Sequence, residues 1–380
     1  MESALGSGLV SLVQGLLHLS PGHVLMLAVS GGLLYLGISR GLEPLLLVPI
    51  GFGALLVNIP GNGLMEEHGV LRAIYNAGVA TEIFPVLIFL GIGAMTDFGP
   101  LFANPSILLL GAAGQFGIFL TLILALLLGF PLRESVSIGI IGAMDGPTAI
   151  FVTSQYAPHL LGAVSVAAYS YMSLVPLVQP PIMRLLTTER EKKTIMAGGR
   201  SAKVSHQARV LFPVVVIVVG GLIAPQGVPL LGTLMLGNLL RESGVVERLR
   251  SACENEIANV VTLLLGLSIG ATMQAEVFLK PQTLLVFGLG FVAIVLDTAL
   301  GLLFGKLFYL LSGGRVNPLI GAAGISAYPM AARVVQSFGQ SYNRKSYLLM
   351  HAMAANTGGQ LGSIMAAAVM LAVLAGFGVV

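Results

Sequence analysis

The chain has 380 residues, of which 56% are hydrophobic and only 9% are charged, and its formal net charge is +3. Soluble domains usually contain about 25% charged residues, so the composition excludes an ordinary soluble protein and predicts an all-α integral membrane protein. A single cysteine, Cys253, excludes an internal disulfide.

Residues 1–22 predict an amphipathic helix that lies in the membrane interface. Apolar residues recur at helical spacing in this stretch, and Pro21–Gly22 end it. It lacks a basic n-region and a cleavage site, so it does not have the pattern of a signal peptide.

Apolar segments follow on both sides of a polar stretch. In the first half they lie at about 23–39, 42–60, 80–96, 106–130, 135–154 and 158–185, and in the second half at about 207–223, 227–241, 254–273, 282–312, 316–336 and 346–379. Gly and Pro interrupt 135–154 and 316–336, which predicts broken or re-entrant elements there. We therefore expect a bundle of about ten transmembrane helices.

The polar stretch at 187–206 predicts a cytoplasmic linker. It contains the densest cluster of basic residues, and short loops rich in Lys and Arg remain in the cytoplasm. We expect a solvated linker without a binding role.

The two halves, 23–186 and 207–380, resemble each other. "FLGIGAMTDFGPLFANPSILLLG" from Phe89 matches "GLSIGATMQAEVFLKPQTLLVFG" from Gly266, and "IGAMDGPTA" from Ile141 matches "IGAAGISAYPMAA" from Ile320. "GFGALL" from Gly51 and "MLGNLL" from Met235 form a third match in the same order. Five crossings and one re-entrant element per half make the repeats inverted, which predicts an elevator-transporter-like fold with paired broken helices near the midplane.

Asp145 is the carboxylate of the first broken segment. A charge at mid-bilayer costs about 2.5–3.5 kcal/mol and usually has a function. Gly146 and Pro147 interrupt the helix beside it and free carbonyl oxygens, so the segment predicts a site for a small hard cation such as Na⁺. The structural alternative is a helix cap or an ion pair with an arginine.

The second broken segment, 317–333, contains Asn317, Gly321, Ser326 and Arg333. Arg333 either pairs with Asp145 or receives a carboxylate ligand in bidentate geometry. Downstream, Asn356 either bonds to another helix or lines a cavity beside Gly358–Gly359.

Three further polar residues lie in apolar segments. Tyr171 either binds an ion, donates a proton or completes a helix contact, and we expect a helix contact for Tyr169. Asp297 serves as a proton or ion relay, pairs with Lys306 or faces a cavity.

At "GAMDGPTAIF" and "NPLIGAAGISAYPMAAR" the chain resembles the β subunits of the sodium-translocating, biotin-dependent decarboxylases, and the resemblance extends over most of its length. Members of that family act on oxaloacetate, methylmalonyl-CoA, glutaconyl-CoA or malonate. The resemblance implies that the chain decarboxylates carboxybiotin, consumes a proton and drives Na⁺ outward.

The resemblance also implies residue roles. It gives Na⁺ ligation to Asp145, Asn317, Gly321, Ser326, Asn356 and Tyr171, carboxybiotin binding to Arg333, and catalysis to Arg333, Tyr171 and Asp145. The family's usual Gly-Ala before the aspartate is Ala143–Met144 here, and the sequence around Asn356 departs from the common pattern.

The partners implied are a carboxyltransferase, a biotin carrier and a small membrane-anchored subunit in an oligomeric complex, without nucleic acid. We expect a multi-pass protein of the bacterial or archaeal cytoplasmic membrane. The rival interpretation is a Na⁺-coupled transporter of an organic anion without catalysis. A purely structural scaffold has no reason to keep Asp145 and Asp297 in apolar segments.

Overall fold

A computed structural model describes residues 15, 17–103, 105–196 and 204–376, and every regular element within these ranges is helical. Most of the predicted interfacial helix at 1–22 lies outside them. Seven helices are long and apolar enough to cross a membrane, and a pair bent by 60°, Val70–Val79 and Ile83–Met95, makes up to eight. The all-helical membrane class is thereby confirmed.

The first half contains seven principal helices, which closely follow the predicted segments. They are α1 (Pro21–Arg40), α2 (Pro44–Val57), α3 (Ile83–Met95), α4 (Pro105–Leu127), α5 (Leu132–Gly139), α6 (Gly146–Tyr156) and α7 (Leu161–Leu186).

The second half contains six principal helices. They are α8 (His206–Ile223), α9 (Val228–Ser243), α10 (Glu247–Ala271), α11 (Pro281–Leu311), α12 (Met330–Tyr342) and α13 (Leu349–Gly376). The bent stretch at 70–79 is a helical element that hydropathy did not predict, because it is short and partly polar.

One group of helices, which we call the frame, consists of α1, α2, α3, α9 and α10. Its contacts depend on glycine. A Cβ on Gly270 of α10 would lie 2.1 Å from the Ile50 carbonyl of α2, and a Cβ on Gly237 of α9 would lie 2.1 Å from the Leu90 carbonyl of α3. Small residues let membrane helices approach closely, so α2 packs closely against α10, and α9 packs against α3 in the same way.

Residues 132–156 form hairpin A, in which α5 and α6 are joined by a 3₁₀ turn at Ile140–Ala143. Glu134 near its start and His159 just after its end lie 3.1 Å apart, so both arms reach the same end of the molecule. Because α7 begins at Leu161, this is the end where α7 starts.

Residues 317–342 form hairpin B, a 3₁₀ helix at Pro318–Gly324 followed by α12. Asn317 Nδ2 donates to the Thr194 carbonyl over 2.8 Å, and Asn343 Nδ2 donates to the Lys193 carbonyl over 3.2 Å. Both arms therefore end at the linker that follows α7. A helix of 26 residues is about 39 Å long, so the two hairpins enter the molecule from opposite ends of α7.

Candidate functional site

The tips of the two hairpins meet inside the molecule. The Ser326 backbone amide of hairpin B donates to the Ala143 carbonyl of hairpin A over 3.1 Å. Asp145 follows immediately at the tip of hairpin A. The two broken segments, whose sequences resemble each other, are thus in direct contact.

Asp145 is 4% exposed, and its carboxylate is held by two hydroxyl groups. Thr148 Oγ1 donates to Asp145 Oδ2 over 2.6 Å, and Ser363 Oγ of α13 donates to the same oxygen over 3.0 Å. Neither donor is charged, and no salt bridge to Asp145 is formed within the described part of the chain. The structure thus contradicts the predicted alternative of an ion pair between Asp145 and an arginine.

The backbone at the tip is unusual. Met144 is fully buried and left-handed, with φ 54° and ψ 37°. This conformation costs an L-residue about 1–2 kcal/mol. It turns the chain sharply between the 3₁₀ turn and α6, which places Asp145 at the tip.

A cavity of about 530 Å³ lies between the hairpin tips and the frame. Hairpin tips, α7 and α13 form one wall, and the start of α2, the end of α3 and Thr262 of α10 form the other. Among the described residues of its lining, Asp145 and Glu43 are carboxylates and none is basic. The carboxylates, together with the few hydroxyl and amide oxygens of a mostly apolar lining, fit a hard cation.

The cavity lies toward the linker end of the molecule. Glu82, just before α3, interacts with Gln155 at the far end of hairpin A, so α3 starts where hairpin A enters. The cavity is lined by Met95 and Thr96 at the opposite end of α3.

Hairpin B is held by side-chain amides from three helices. Gln179 of α7 donates to the Ala322 carbonyl over 2.7 Å, Gln115 of α4 to Gly324 over 2.9 Å, and Asn356 of α13 to Ile325 over 2.5 Å. Non-helical backbone at membrane depth needs such partners.

The predicted site residues separate into two groups. Ser326 lines the Asp145 cavity, and its hydroxyl donates to the Gly359 carbonyl over 2.9 Å. Asn356 lies one helical turn before the cavity residue Gln360, and its Oδ1 has no hydrogen-bond partner among the described residues.

Three other predicted residues lie away from Asp145. Asn317 is at the linker end, separated from the hairpin tip by a 3₁₀ helix about 14 Å long. Gly321 packs against Gly301 of α11. Tyr171 Oη donates to the Phe287 carbonyl over 2.5 Å. The ligand roles that the resemblance gives these three residues stay predictions.

Arg333 lines a second cavity, of about 400 Å³, between α12 and α7. Its side chain is exposed and forms no ion pair within the described part of the chain. Ser337 and Ser341 lie along the same wall. The arginine is therefore free to receive an anion from outside the chain.

The linker is more structured than predicted. Lys192 is buried, lies 2.9 Å from Glu189 and sits 4.8 Å from the centre of the Tyr342 ring. Lys306 pairs with Glu191 over 3.5 Å, so it does not pair with Asp297 as one alternative proposed. Residues 197–203 of the linker lie outside the described ranges.

Sequence reasoning missed four polar residues around Asp145. They are its donors Thr148 and Ser363, and the cavity residues Tyr169 and Gln360. Helices α7 and α13 carry buried residues around most of their circumference, so their sequences do not show which polar residue faces the site. Only Thr148, one turn after Asp145, had a readable signal.

Known proteins resemble this chain over almost its whole length. Residues 22–374 match the family model described as the Na⁺-transporting oxaloacetate decarboxylase beta subunit. The chain is 52% identical to the methylmalonyl-CoA decarboxylase subunit beta of Veillonella parvula, covering 95% of each protein. It is 51% identical to the glutaconyl-CoA decarboxylase subunit beta of Acidaminococcus fermentans, covering 97% of this chain and 98% of the relative. It is 46% identical to an oxaloacetate decarboxylase beta chain of Salmonella typhi, covering 94% of this chain and 96% of the relative.

Proposed function

The chain belongs to the family of β subunits of Na⁺-transporting decarboxylases, and on this premise we propose how its own residues couple decarboxylation of carboxybiotin to Na⁺ export. The observation that carries the proposal is the position of Asp145. It lies where two hairpins from opposite ends of the molecule meet, beside an acidic cavity.

The two halves of the chain are inverted repeats of five crossings and one hairpin each. The frame contacts support this, because sequence-matched glycines make matched contacts: Gly53 and Gly270 in one pair, Gly237 and Gly93 in the other. The opposite entry of the hairpins also supports it. With short α2, α3 and α9 counted, the crossings number ten.

Na⁺ binds at Asp145, with Ser326 and Asn356 of the predicted set nearby. The basic linker places its end of the molecule in the bacterial cytoplasm, so the Asp145 cavity approaches the cytoplasmic side. Movement of the hairpins and their supporting helices against the frame then carries Na⁺ outward. Na⁺ shifts the equilibrium between the two positions of the hairpins only if it binds these two states with different affinity.

Arg333 receives the carboxylate of carboxybiotin that a biotin-carrier partner presents from the cytoplasm. Carboxybiotin, when bound, would lose CO₂ and take up one proton on its ring nitrogen, and the exposed guanidinium of Arg333 would orient its carboxylate. Asn317 and Gly321 support hairpin B, on which Arg333 lies. A carboxyltransferase and a small membrane-anchored subunit complete the complex.

A Na⁺-coupled anion transporter without catalysis has the same kind of Asp and Arg chemistry. Membership in the decarboxylase family favours the catalytic function over this alternative.

Asp145→Asn tests the proposal in the reconstituted complex. Loss of a buried charged ligand costs about 3 kcal/mol or more, so we expect Na⁺-stimulated decarboxylation to fall by about a hundredfold or more. Decarboxylation and ²²Na⁺ movement are measured together in proteoliposomes. The complex is purified through this chain, and an avidin blot checks that a biotinylated partner accompanies it.

Asp97→Asn is the matched control. Asp97 is exposed and its Oδ1 accepts a local hydrogen bond from the Gly99 amide over 2.8 Å. Both activities should remain near wild type in this variant. Full decarboxylation and full Na⁺ transport in Asp145→Asn would contradict the proposal.

A further inference from the structure

Two buried side-chain oxygen atoms of the Asp145 cavity have no role in the proposed mechanism. Tyr169 is 2% exposed and Gln360 is 3% exposed, and both line the Asp145 cavity. Neither Tyr169 Oη nor Gln360 Oε1 has a hydrogen-bond partner among the described residues. A buried polar atom without a partner costs about 1–3 kcal/mol, so native proteins rarely keep one without a reason.

Tyr169 approaches the tip of hairpin A because Gly146 has no side chain. A Cβ at Gly146 would lie 2.1 Å from the Tyr169 ring and 2.6 Å from Tyr169 Oη. Gly146 directly follows Asp145, so the phenol oxygen lies against the backbone of the hairpin tip that carries the carboxylate, and both residues line the same cavity. Tyr171, two residues later, points elsewhere and donates to Phe287.

Gln360 approaches the same site along α13. Ser363, which donates to Asp145 Oδ2, lies three residues later and therefore on the same face of the helix. The Asn356 amide, one turn earlier, is bound to hairpin B through its Nδ2.

We propose that Tyr169 Oη and Gln360 Oε1 are Na⁺ ligands that act together with Asp145. Both are uncharged oxygen donors, the ligand type that hard cations prefer. A phenol and an amide add coordination without adding charge, so one carboxylate balances one Na⁺ ion. The inference rests on the proposed function and deepens it, since it identifies Tyr169, rather than Tyr171, as the tyrosine of the ion site.

Thermal unfolding of the purified full chain in detergent tests this inference without any activity assay. NaCl replaces choline chloride at constant ionic strength, and the half-saturating Na⁺ concentration is obtained by fitting the rise in midpoint. A ligand that binds only the folded state stabilises it in proportion to ln(1 + [L]/Kd). Tyr169→Phe and Gln360→Met, which remove the oxygens and nearly keep the volumes, should each raise that concentration by about tenfold.

The same variants should behave differently without Na⁺. Each removes an unpartnered buried oxygen, so the Na⁺-free midpoint should stay the same or rise. A merely structural role for either side chain predicts the reverse, a lower midpoint with unchanged Na⁺ dependence.

Gln179→Met is the matched control. It removes a polar group that donates to a carbonyl outside the cavity, that of Ala322. Its Na⁺-free midpoint should fall, and its half-saturating Na⁺ should stay within about twofold of wild type.

Two results would overturn the claims separately. If Asp145→Asn abolishes the Na⁺ effect while Tyr169→Phe and Gln360→Met leave it unchanged, the ligand assignment is wrong and the proposed function stands. If wild type responds to Na⁺ no more than to choline, the Na⁺ site of the proposed function is itself wrong.

Discussion

Asp297 is a buried carboxylate that the proposed mechanism does not use. It is fully buried near the middle of α11, and neither carboxylate oxygen has a hydrogen-bond partner within the described ranges. Its Oδ1 lies against Gly117, in the first helical turn after the break at Gly114–Gln115 that divides α4, and its Oδ2 lies against Gly142 in the turn of hairpin A. A helix N-terminus attracts an anion, which favours a packing role for Asp297 between α4 and hairpin A.

Gly117→Ala should destabilise the protein, because its Cβ would lie 1.8 Å from Asp297 Oδ1. Overpacking of this kind costs about 1–3 kcal/mol. The midpoint of thermal unfolding in detergent should fall by several degrees.

Gly32→Ala provides the control for that substitution. Gly32 lies in α1 with open space around it, so alanine should leave the midpoint unchanged or raise it slightly. Equal stability of Gly117→Ala and wild type would show that the Asp297 side chain does not occupy this space.

Hairpin B shows at the level of an element how non-helical backbone survives in a membrane. The Ala322, Gly324 and Ile325 carbonyls accept amide donors from α7, α4 and α13, and Asn317 fixes its start. Asn317 Oδ1 also accepts from the Leu319 amide over 3.0 Å, which caps the 3₁₀ helix. These hydrogen bonds fix the hairpin to α4, α7, α13 and the linker.

Asn317→Ala should loosen hairpin B while leaving the Asp145 cavity in place. The lost cap and linker contact cost about 1–2 kcal/mol. Amide hydrogen exchange at 318–324 should accelerate by about tenfold, as measured by mass spectrometry.

Asn255→Ala is a suitable comparison, because Asn255 is exposed and its side chain donates locally to the Ser251 carbonyl of its own helix. It should leave the exchange of 318–324 unchanged. If Asn317→Ala weakens Na⁺ binding without accelerating exchange, the ligand role that the family resemblance implies for Asn317 is favoured instead.

The whole molecule consists of two groups of helices with the Asp145 cavity between them. The frame forms one wall of the cavity, and the hairpins with α7 and α13 form the other. An elevator mechanism requires these walls to slide past each other. Crosslinking them should therefore stop transport without touching the ion site.

Gly162 of α7 and Thr272 at the end of α10 offer such a crosslink. A Cβ at Gly162 would lie 2.6 Å from Thr272 Oγ1. In a Cys253→Ala background, oxidation of Gly162→Cys with Thr272→Cys should abolish Na⁺ transport, and a reductant should restore it.

The pair Gly22→Cys with Ala275→Cys is the control crosslink on one side of the boundary. A Cβ at Gly22 would lie 3.4 Å from the Ala275 Cβ, close to the distance that a disulfide needs. Oxidation of this pair should leave transport intact. Undiminished transport with the Gly162–Thr272 crosslink formed would contradict relative motion of the two groups.

The amino-acid sequence by itself determined the membrane class, nearly all of the long helices, the two broken segments and the presence of a lone carboxylate, Asp145, in one of them. These features are local: a run of apolar residues, a Gly-Pro pair or a lone carboxylate in such a run has the same physical meaning wherever it lies in the fold. The matched motifs of the two halves also indicated that the broken segments belong together.

Only the tertiary structure decided which oxygen atoms surround Asp145. Tyr169 and Tyr171 lie in the same apolar helix, yet one faces the cavity and the other α11. Ser363 contacts Asp145, and Gln360 lines the Asp145 cavity, from more than 200 positions away in the chain. A helix buried on most sides has no polar face to read, so the direction of each side chain depends on which neighbouring helix packs against it.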